Sequence, residues 1–356
     1  MIGCGAISGQ YLETIARLPR LSLVAVADRD HERAERVGAA AGASALPVPA
    51  LLADPRIDAV LNLTVPAAHA EVALAAIEAG KIVYGEKPLA ASLTDARRIV
   101  DAAAAAGVRI GCAPDTVLGT GIQTSRRAID DGLIGTPVAA SATMLTPGHE
   151  RWHPDPDFYY QPGGGPLLDM GPYYVTALIT LLGPVTEVVG MSSRSRDTRA
   201  IGSGPRAGGE VPVAIDTHVT GVLRHASGAL STLIMSFDAV ATRVAPIEVH
   251  GTSGSLAVPD PNRFGDPTFL HRLGATGWEE LPVSAGYVDA GRGYGLADLA
   301  IAAPDREPRS GGRLALHVLD VMESLLTAAV EGRSVPVAST ADRPDPVPLT
   351  DLTDAG

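Results

Sequence analysis

The residues of this chain that could do chemistry fall into three groups. The opening Gly3-Cys4-Gly5-Ala6-Ile7-Ser8 places two glycines ahead of a helix-like stretch. A Gly-x-Gly turn lets backbone N–H groups approach a pyrophosphate, and the positive end of the following helix favours the anion. The next apolar run ends in Val-Ala-Asp28-Arg29-Asp, putting a carboxylate where a dinucleotide fold holds the ribose hydroxyls, about 20 residues on. Asp28 favours NAD by repelling a 2′-phosphate. Arg29 leaves NADP open, since a guanidinium can stack on adenine or pair with that phosphate. The second group is Gly85-Glu86-Lys87-Pro88, and the third is the run Gly163-Gly164-Gly165 leading through Asp169 to Gly171-Pro172-Tyr173-Tyr174. Together they offer an ammonium, a carboxylate and phenols, groups that can donate or accept hydrogen bonds and exchange a proton.

The phenol needs help. An unperturbed tyrosine has a pKa of about 10, too high for an efficient base near neutrality. An ammonium ~4 Å away contributes ~4 kcal/mol at an effective dielectric of 20, or up to about 3 pKa units before desolvation opposes it. A lysine such as Lys87, were it that neighbour, would pull Tyr173 down. Each residue also has a plainer reading: Lys87 as a solvated strand-end lysine, Asp169 as a helix N-cap, Tyr173 as a core or stacking residue.

These groups need a frame. Apolar runs at 21–27, 59–63, 82–84 and 108–112 alternate with helix-like stretches at 10–17, 30–41, 67–79 and 95–106. The runs are continuous in polarity, as in strands buried on both faces of a parallel sheet. The alternation predicts a doubly wound α/β Rossmann domain over 1–115, with Lys87 at the carboxyl end of a strand, where such sheets bind ligands. Only Met1 and Ile2 precede Gly3, so the first strand is expected either to start further upstream or to be a stub.

Beyond 116 the rhythm changes. Helical patterns at 123–131, 171–182 and 313–331 accompany strands at 138–144, 186–192, 216–224, 229–238, 247–250 and 255–258, with a hairpin signal at Ala226-Ser227-Gly228. This predicts an open, mostly antiparallel sheet with helices on one face over 116–340, then a Pro-rich tail over 341–356. The bare face of such a sheet needs cover, so a homodimer or homotetramer through it is expected. The polar, Gly-rich segment 194–209 is expected to be a mobile loop.

With 46% hydrophobic and 19% charged residues, the chain has ample material for two cores. A formal charge of −12 argues against nucleic-acid or anionic-membrane partners, which select basic patches. Two cysteines make no disulfide framework, no apolar run is long enough for a span, and no signal pattern opens the chain, so a cytoplasmic protein is expected.

His149-Glu150-Arg151-Trp152-His153 matches the zinc-protease pattern His-Glu-x-x-His, which needs a helix to put both imidazoles on one face. Pro147-Gly148 before it and Pro154 and Pro156 after it leave no room for one, so no metal site is assigned. The aromatic stretch is read instead as a loop over the active site, with Trp152, His153 and Tyr159 as candidates for stacking on and hydrogen-bonding a sugar ring. A plain ordered surface loop is the other reading.

Taken in order and spacing, the motifs GCGAIS, VADRD, Thr64-Val-Pro66-Ala-Ala-His69, Gly85-Glu86-Lys87-Pro88 and GGGPLLDMGPYY at 163–174 resemble the Gfo/Idh/MocA oxidoreductases. The resemblance covers nearly the whole chain. It implies an NAD(P)-dependent dehydrogenase or ketoreductase acting on a sugar, cyclitol or glycoside. It implies cofactor contacts from Gly3, Gly5, Ala6, Ile7, Asp28, Arg29 and Glu86, with Thr64, Pro66 and His69 packing along the cofactor, although His69 serves equally as a structural cap. It implies that Lys87 bonds the reacting oxygen, that Asp169 binds substrate hydroxyls, and that the peptide before Pro88 is cis. Most members carry Asp-x-Gly-x-His; here Tyr173 replaces the His, as in the branch of glucose-fructose oxidoreductase and dihydrodiol dehydrogenase, implying a Lys–Tyr pair. Tyr174 is the neighbouring rival, and Thr176 replaces an Asp often found three residues after the acid/base. These departures keep open a second class, a nicotinamide-binding sensor without turnover.

Overall fold

In a computed structural model describing residues 1–303 and 306–354, the first 112 residues alternate helix and short strand. First come α1 (Ser8–Arg17), β1 (Ala25–Val26), α2 (His31–Ala41), β2 (Ser44–Ala45) and α3 (Val48–Ala53). Then follow β3 (Ala59–Asn62), α4 (Pro66–Glu78), β4 (Ile82–Gly85), α5 (Leu93–Ala106) and β5 (Ile110–Cys112). β1 pairs with β2, and β3, β4 and β5 pair in that order, all in parallel. Residues 1–3 join the two groups. Ile2 N–H donates to Leu61 O and Gly3 N–H to Ala27 O, each at 2.8 Å, and Ile2 bridges both Ala27 and Asn62. Residues 1–3 thus lie at the centre of the sheet. The Met1 nitrogen donates to Ala25 O at 2.8 Å. A cavity of about 390 Å³ lies beside Met1, lined by Ile15, Leu21, Leu23, Ile57, Leu61 and Leu296 among others.

The rest of the chain builds a second sheet. α6 (Thr120–Asp130), β6 (Pro137–Leu145) and α7 (Pro166–Leu182) lead into β7 (Val185–Ser193), β8 (Thr198–Ala200) and β9 (Glu210–Pro212). β10 (His218–His225), β11 (Leu230–Ser236), β12 (Ile247–Gly251), β13 (Gly254–Val258), β14 (Phe269–Arg272) and β15 (Glu279–Glu280) follow. α8 (Tyr294–Ile301), α9 (Gly312–Glu331) and β16 (Val335–Pro336) complete it. Nine strands run β15-β14-β13-β12-β6-β11-β10-β7-β16, antiparallel throughout except between β6 and β11. Burial alternates along β10, with Val219 and Leu223 inside and Val222 outside, as expected of a sheet packed on one face. α7 and α9 cover the inner face. The outer face leaves Val189, Met191, Val222 and Leu230 exposed, and Val189 and Val222 stand directly opposite each other on neighbouring strands.

One expectation is corrected here, and two features went unread. The segment 194–209 contains β8 and is held by Arg199, which is 3% exposed and pairs with Glu150 at 3.2 Å and with Asp238. A buried guanidinium with two carboxylates anchors this segment, where composition alone suggested mobility. α8 went unread because Tyr294–Ile301 is eight residues long and almost wholly apolar, so it carries no amphipathic period. The Pro-rich tail is packed too: Val347 N–H donates to Gln123 Oε1 at 2.9 Å, and Thr350 bridges Tyr287.

Candidate active site

The glycine turn is built for close approach. Gly3 has φ +96°, and a Cβ there would stand 2.5 Å from the Leu63 carbonyl oxygen, so only glycine lets the turn pass over the end of β3. Gly5 and Ala6 are exposed, and nothing lies within 4 Å of where a Gly5 Cβ would stand. That open floor at the start of α1 suits a phosphate, so the residues present fit a dinucleotide. Ser8, in the third position of the fingerprint, is buried, and its hydroxyl donates to Gly5 O at 2.7 Å, which stiffens the turn. Asp28 sits beside the turn: its Oδ2 accepts from Cys4 N–H at 2.7 Å and its Oδ1 from Asp30 N–H at 2.8 Å. A carboxylate can accept about four hydrogen bonds, so these two do not exhaust it. Arg29 is exposed; the guanidinium beside Asp28 is that of Arg33, 3.6 Å from Oδ1.

The loop after β3 is more rigid than cofactor packing alone would require. Thr64 Oγ1 donates to Asn62 Oδ1 at 2.7 Å, and Pro66 is exposed at the first turn of α4. His69 is 2% exposed, with Nδ1 2.6 Å from Pro88 O and Nε2 3.0 Å from Thr64 O. Both ring nitrogens face carbonyl oxygens, and the one carrying the proton donates, which ties the loop to the segment carrying Lys87. Glu86 is likewise engaged, accepting from the Tyr11 hydroxyl at 2.7 Å and from Lys87 N–H at 3.0 Å, which ties α1 to the end of β4.

Lys87, Asp169 and Tyr173 converge. Lys87 follows β4, its bond to Pro88 is cis, and its Nζ donates to Asp169 Oδ1 at 2.9 Å and to the Asp169 carbonyl at 2.8 Å. The same Nζ lies 5.4 Å from the centre of the Tyr173 ring. Asp169 and Tyr173 are one turn apart on α7, hence on one face. Pro172 between them lacks an N–H, which leaves the Leu168 carbonyl without its helical partner beside this turn. Tyr174 points elsewhere: burial and the Asp260 carboxylate push its pKa up. Thr176 is buried.

The electrostatics differ from the sequence expectation in one respect. Burial pulls the Lys87 ammonium down, but Asp169, Tyr173 and Glu86 outweigh it, and Lys87 is held above the usual lysine range. Burial pushes Tyr173 up, and Lys87 and a second cation, Arg292, only partly offset it, while Glu86 and Asp169 push further up. Tyr173 therefore lies above its ordinary value, not below. Desolvation of a 5%-exposed phenol exceeds what the nearby ammonium returns.

A lid of aromatic side chains adjoins Asp169. Gly164 N–H donates to Gln161 O at 2.9 Å and Gly165 N–H to Tyr159 O at 2.8 Å; a Cβ at Gly164 would overlap the Phe158 carbonyl, so the glycine run lets this loop lie on the start of α7. His149 Nδ1 lies 3.4 Å from Asp169 Oδ2, opposite Lys87. Its ring packs 4.4 Å from Phe237 and 4.7 Å from Tyr159, and burial holds its pKa below the usual histidine range. Tyr159 is 8% exposed and pushed up to about 12 by burial and by Asp169. Trp152, 59% exposed, packs 5.2 Å from His149 and 5.4 Å from His153. The His-Glu-x-x-His stretch forms one 3₁₀ turn, His149–Arg151, with Glu150 buried against Arg199 and Tyr160 and the His153 ring accepting from Asp155 N–H. Among the described residues no group of acids, histidines and cysteines is arranged to hold a metal ion. Sequence reading had missed His149, Arg33 and Arg292.

A glycine turn beside an aspartate on a parallel sheet, facing a lysine at a strand end and a helix from a second sheet, defines a nicotinamide-dependent oxidoreductase of two-domain build. Residues 1–113 match the NAD-binding Rossmann-fold oxidoreductase family, and residues 122–257 match the GFO/IDH/MocA C-terminal domain. The chain belongs to the Gfo/Idh/MocA family and is an NAD-binding oxidoreductase. Its similarity to the 1,5-anhydro-D-fructose reductase of Ensifer adhaerens is 32% identity over 264 residues, covering 72% of this chain and 74% of that protein. The D-apiose dehydrogenase of Paraburkholderia graminis is 27% identical, covering 95% and 89%. Among solved structures, an NAD-binding oxidoreductase from Klebsiella pneumoniae is 26% identical with TM-score 0.81, covering 95% of this chain and 98% of that one. A levoglucosan dehydrogenase in complex with NADH and L-sorbose, 21% identical with TM-score 0.79 over 95% and 98%, shares the fold. Among the described residues no helix is long and apolar enough to cross a membrane.

Proposed function

We propose that this chain moves a hydride between NAD and a carbinol or keto carbon of a sugar, cyclitol or glycoside, with Lys87 and Tyr173 as the acid/base pair. The observation that carries this reading is the meeting of Lys87, Asp169 and the Tyr173 ring beside the strand end that follows the glycine turn. Bound NAD supplies the hydride donor or acceptor; the protein supplies the proton and the geometry. Lys87 has three N–H donors and spends two on Asp169, so the third is left for the reacting oxygen. Tyr173, held protonated at neutral pH, donates its proton to that oxygen as a carbonyl is reduced, and the flanking cations stabilise the phenolate left behind. In the oxidative direction the same phenolate takes the proton back. Asp169, braced by Lys87, accepts from substrate hydroxyls, and Trp152, His153 and Tyr159 offer aromatic faces to the apolar face of a ring. The substrate class is supported by relatives named for 1,5-anhydro-D-fructose and D-apiose.

The test follows absorbance of reduced nicotinamide over a panel of pyranoses, anhydrosugars and cyclitols. Lys87→Ala and Tyr173→Phe are each expected to lower kcat by about 10²–10⁴, the usual worth of a positioned acid/base, with NAD affinity unchanged. Wild-type turnover in Tyr173→Phe would remove the pair.

We also infer self-association through the bare sheet face, because Val189, Met191, Val222 and Leu230 are exposed apolar residues of its neighbouring strands. Met191→Glu is expected to convert the species seen by light scattering to monomer; a monomeric wild type at micromolar concentration would end this inference.

A further inference from the structure

Tyr173 has a second cation, and it comes from a part of the chain that neither family segment includes. Arg292 lies in Gly291-Arg292-Gly293, just before α8, and its guanidinium carbon is 5.3 Å from the centre of the Tyr173 ring, as close as the Lys87 ammonium at 5.4 Å. Its position is fixed from two sides. Its Nη2 donates to Asn262 Oδ1 at 2.8 Å. The backbone that carries it is pinned by Asp115, whose Oδ2 accepts from Gly293 N–H at 2.7 Å and Gly295 N–H at 3.1 Å. Its Nη1 is buried with no hydrogen-bond partner, and so is the other oxygen of Asp115. A buried guanidinium nitrogen left without a partner is costly, and the cost is offset if the charge acts on something nearby.

We propose that Arg292 is a positioning residue for the acid/base step: a second cation on Tyr173 that sets the pH at which this phenol loses and regains its proton. The proposal rests on the reading of Tyr173 given above. The groups facing the phenol are Lys87 and Glu86 at the end of β4, Asp169 on α7, Tyr159 in the aromatic loop, and Arg292 itself. Of these, two are cations and two are carboxylates, so the local charge is nearly balanced. Removing one cation leaves an acidic excess around a buried phenol and must raise its proton affinity. Arg292 in turn faces Tyr173, Asp115, Glu86 and Tyr11. It therefore also offsets Glu86, the carboxylate that opposes phenolate formation from the cofactor side.

The test reads ionisation directly. Alkaline titration of the NAD-bound protein is followed in the tyrosinate absorbance band, with the Tyr173→Phe protein subtracted to isolate the one phenol. The same subtraction is made in the Arg292→Gln background. Arg292→Gln is expected to raise the midpoint by about one unit, a tenfold gain in proton affinity, so that the Tyr173 phenolate signal at a fixed pH near the wild-type midpoint falls severalfold. Arg292→Met tests the same charge loss should Gln fail to fold, and Arg292→Lys is expected to titrate close to wild type. An unchanged midpoint in the neutral variants overturns the proposal. So does a midpoint in Arg292→Lys displaced as far as in Arg292→Gln, because that assigns the effect to packing. Turnover is not needed for the readout, so a fully active Tyr173→Phe would remove the catalytic pair while leaving the ionic coupling standing or falling by its own titration.

Discussion

The two ends of the cleft are built from different materials. The proposed cofactor end is made of backbone: Gly3 passing over Leu63, the exposed turn at Gly5 and Ala6, and one aspartate accepting main-chain N–H groups. The proposed substrate end is made of side chains: a lysine, a carboxylate, a phenol, an imidazole and a guanidinium, all wholly or largely buried. A backbone site depends on local conformation and tolerates side-chain change around it. A side-chain site depends on long-range packing and responds to any change of charge within it. The same protein therefore has one end defined by sterics and the other by electrostatics.

Gly3→Ala breaks the first end with the larger effect. The left-handed φ and the contact with Leu63 leave no room for a methyl group, and the neighbour is main chain at the end of β3, which cannot yield without disturbing the sheet centre. NAD affinity is expected to fall by more than about 100-fold, and the melting temperature by several degrees, consistent with a penalty of a few kcal/mol. Titration calorimetry with NAD checks it. Wild-type affinity in Gly3→Ala would mean that the turn is not the cofactor floor, and the contrast between the ends would lose its footing.

The same contrast decides what sequence could reveal. The cofactor end is written in consecutive residues: Gly3 and Gly5 read as a turn, Asp28 falls at the end of the next strand, and both lie close together in the fold. The major helices are legible for the same reason, since 31–41, 93–106 and 312–331 carry caps or regular apolar spacing. The substrate end is written in fragments. Lys87 and Tyr173 are legible only through the motifs around them. Arg292 stands in Gly291-Arg292-Gly293-Tyr294-Gly295, where a lone arginine among glycines reads as a turn; that glycine spacing was the one available signal. His149 was hidden inside a zinc-like pattern whose helix could not form, and setting the pattern aside also set aside its first histidine. The sign of the Tyr173 shift was misread because distance alone gives the attraction of Lys87, whereas the opposing term comes from burial, which only the folded chain defines.

Trp152→Ala sharpens the comparison from the other side and with a smaller effect. Trp152 is 59% exposed and packs only within the aromatic loop, so its removal leaves α7, Lys87 and the glycine turn undisturbed. Loss of one aromatic face is worth about 0.5–1.5 kcal/mol, so KM for the preferred sugar is expected to rise about tenfold at most. Because the side chain stands outside the proton-transfer group, kcat should change by less than about threefold and NAD affinity not at all. An unchanged KM across the panel would assign the loop to the surface. A fall in kcat as large as that of Tyr173→Phe would instead mean that the loop holds Asp169 through His149, so that packing as well as charge governs the reacting end.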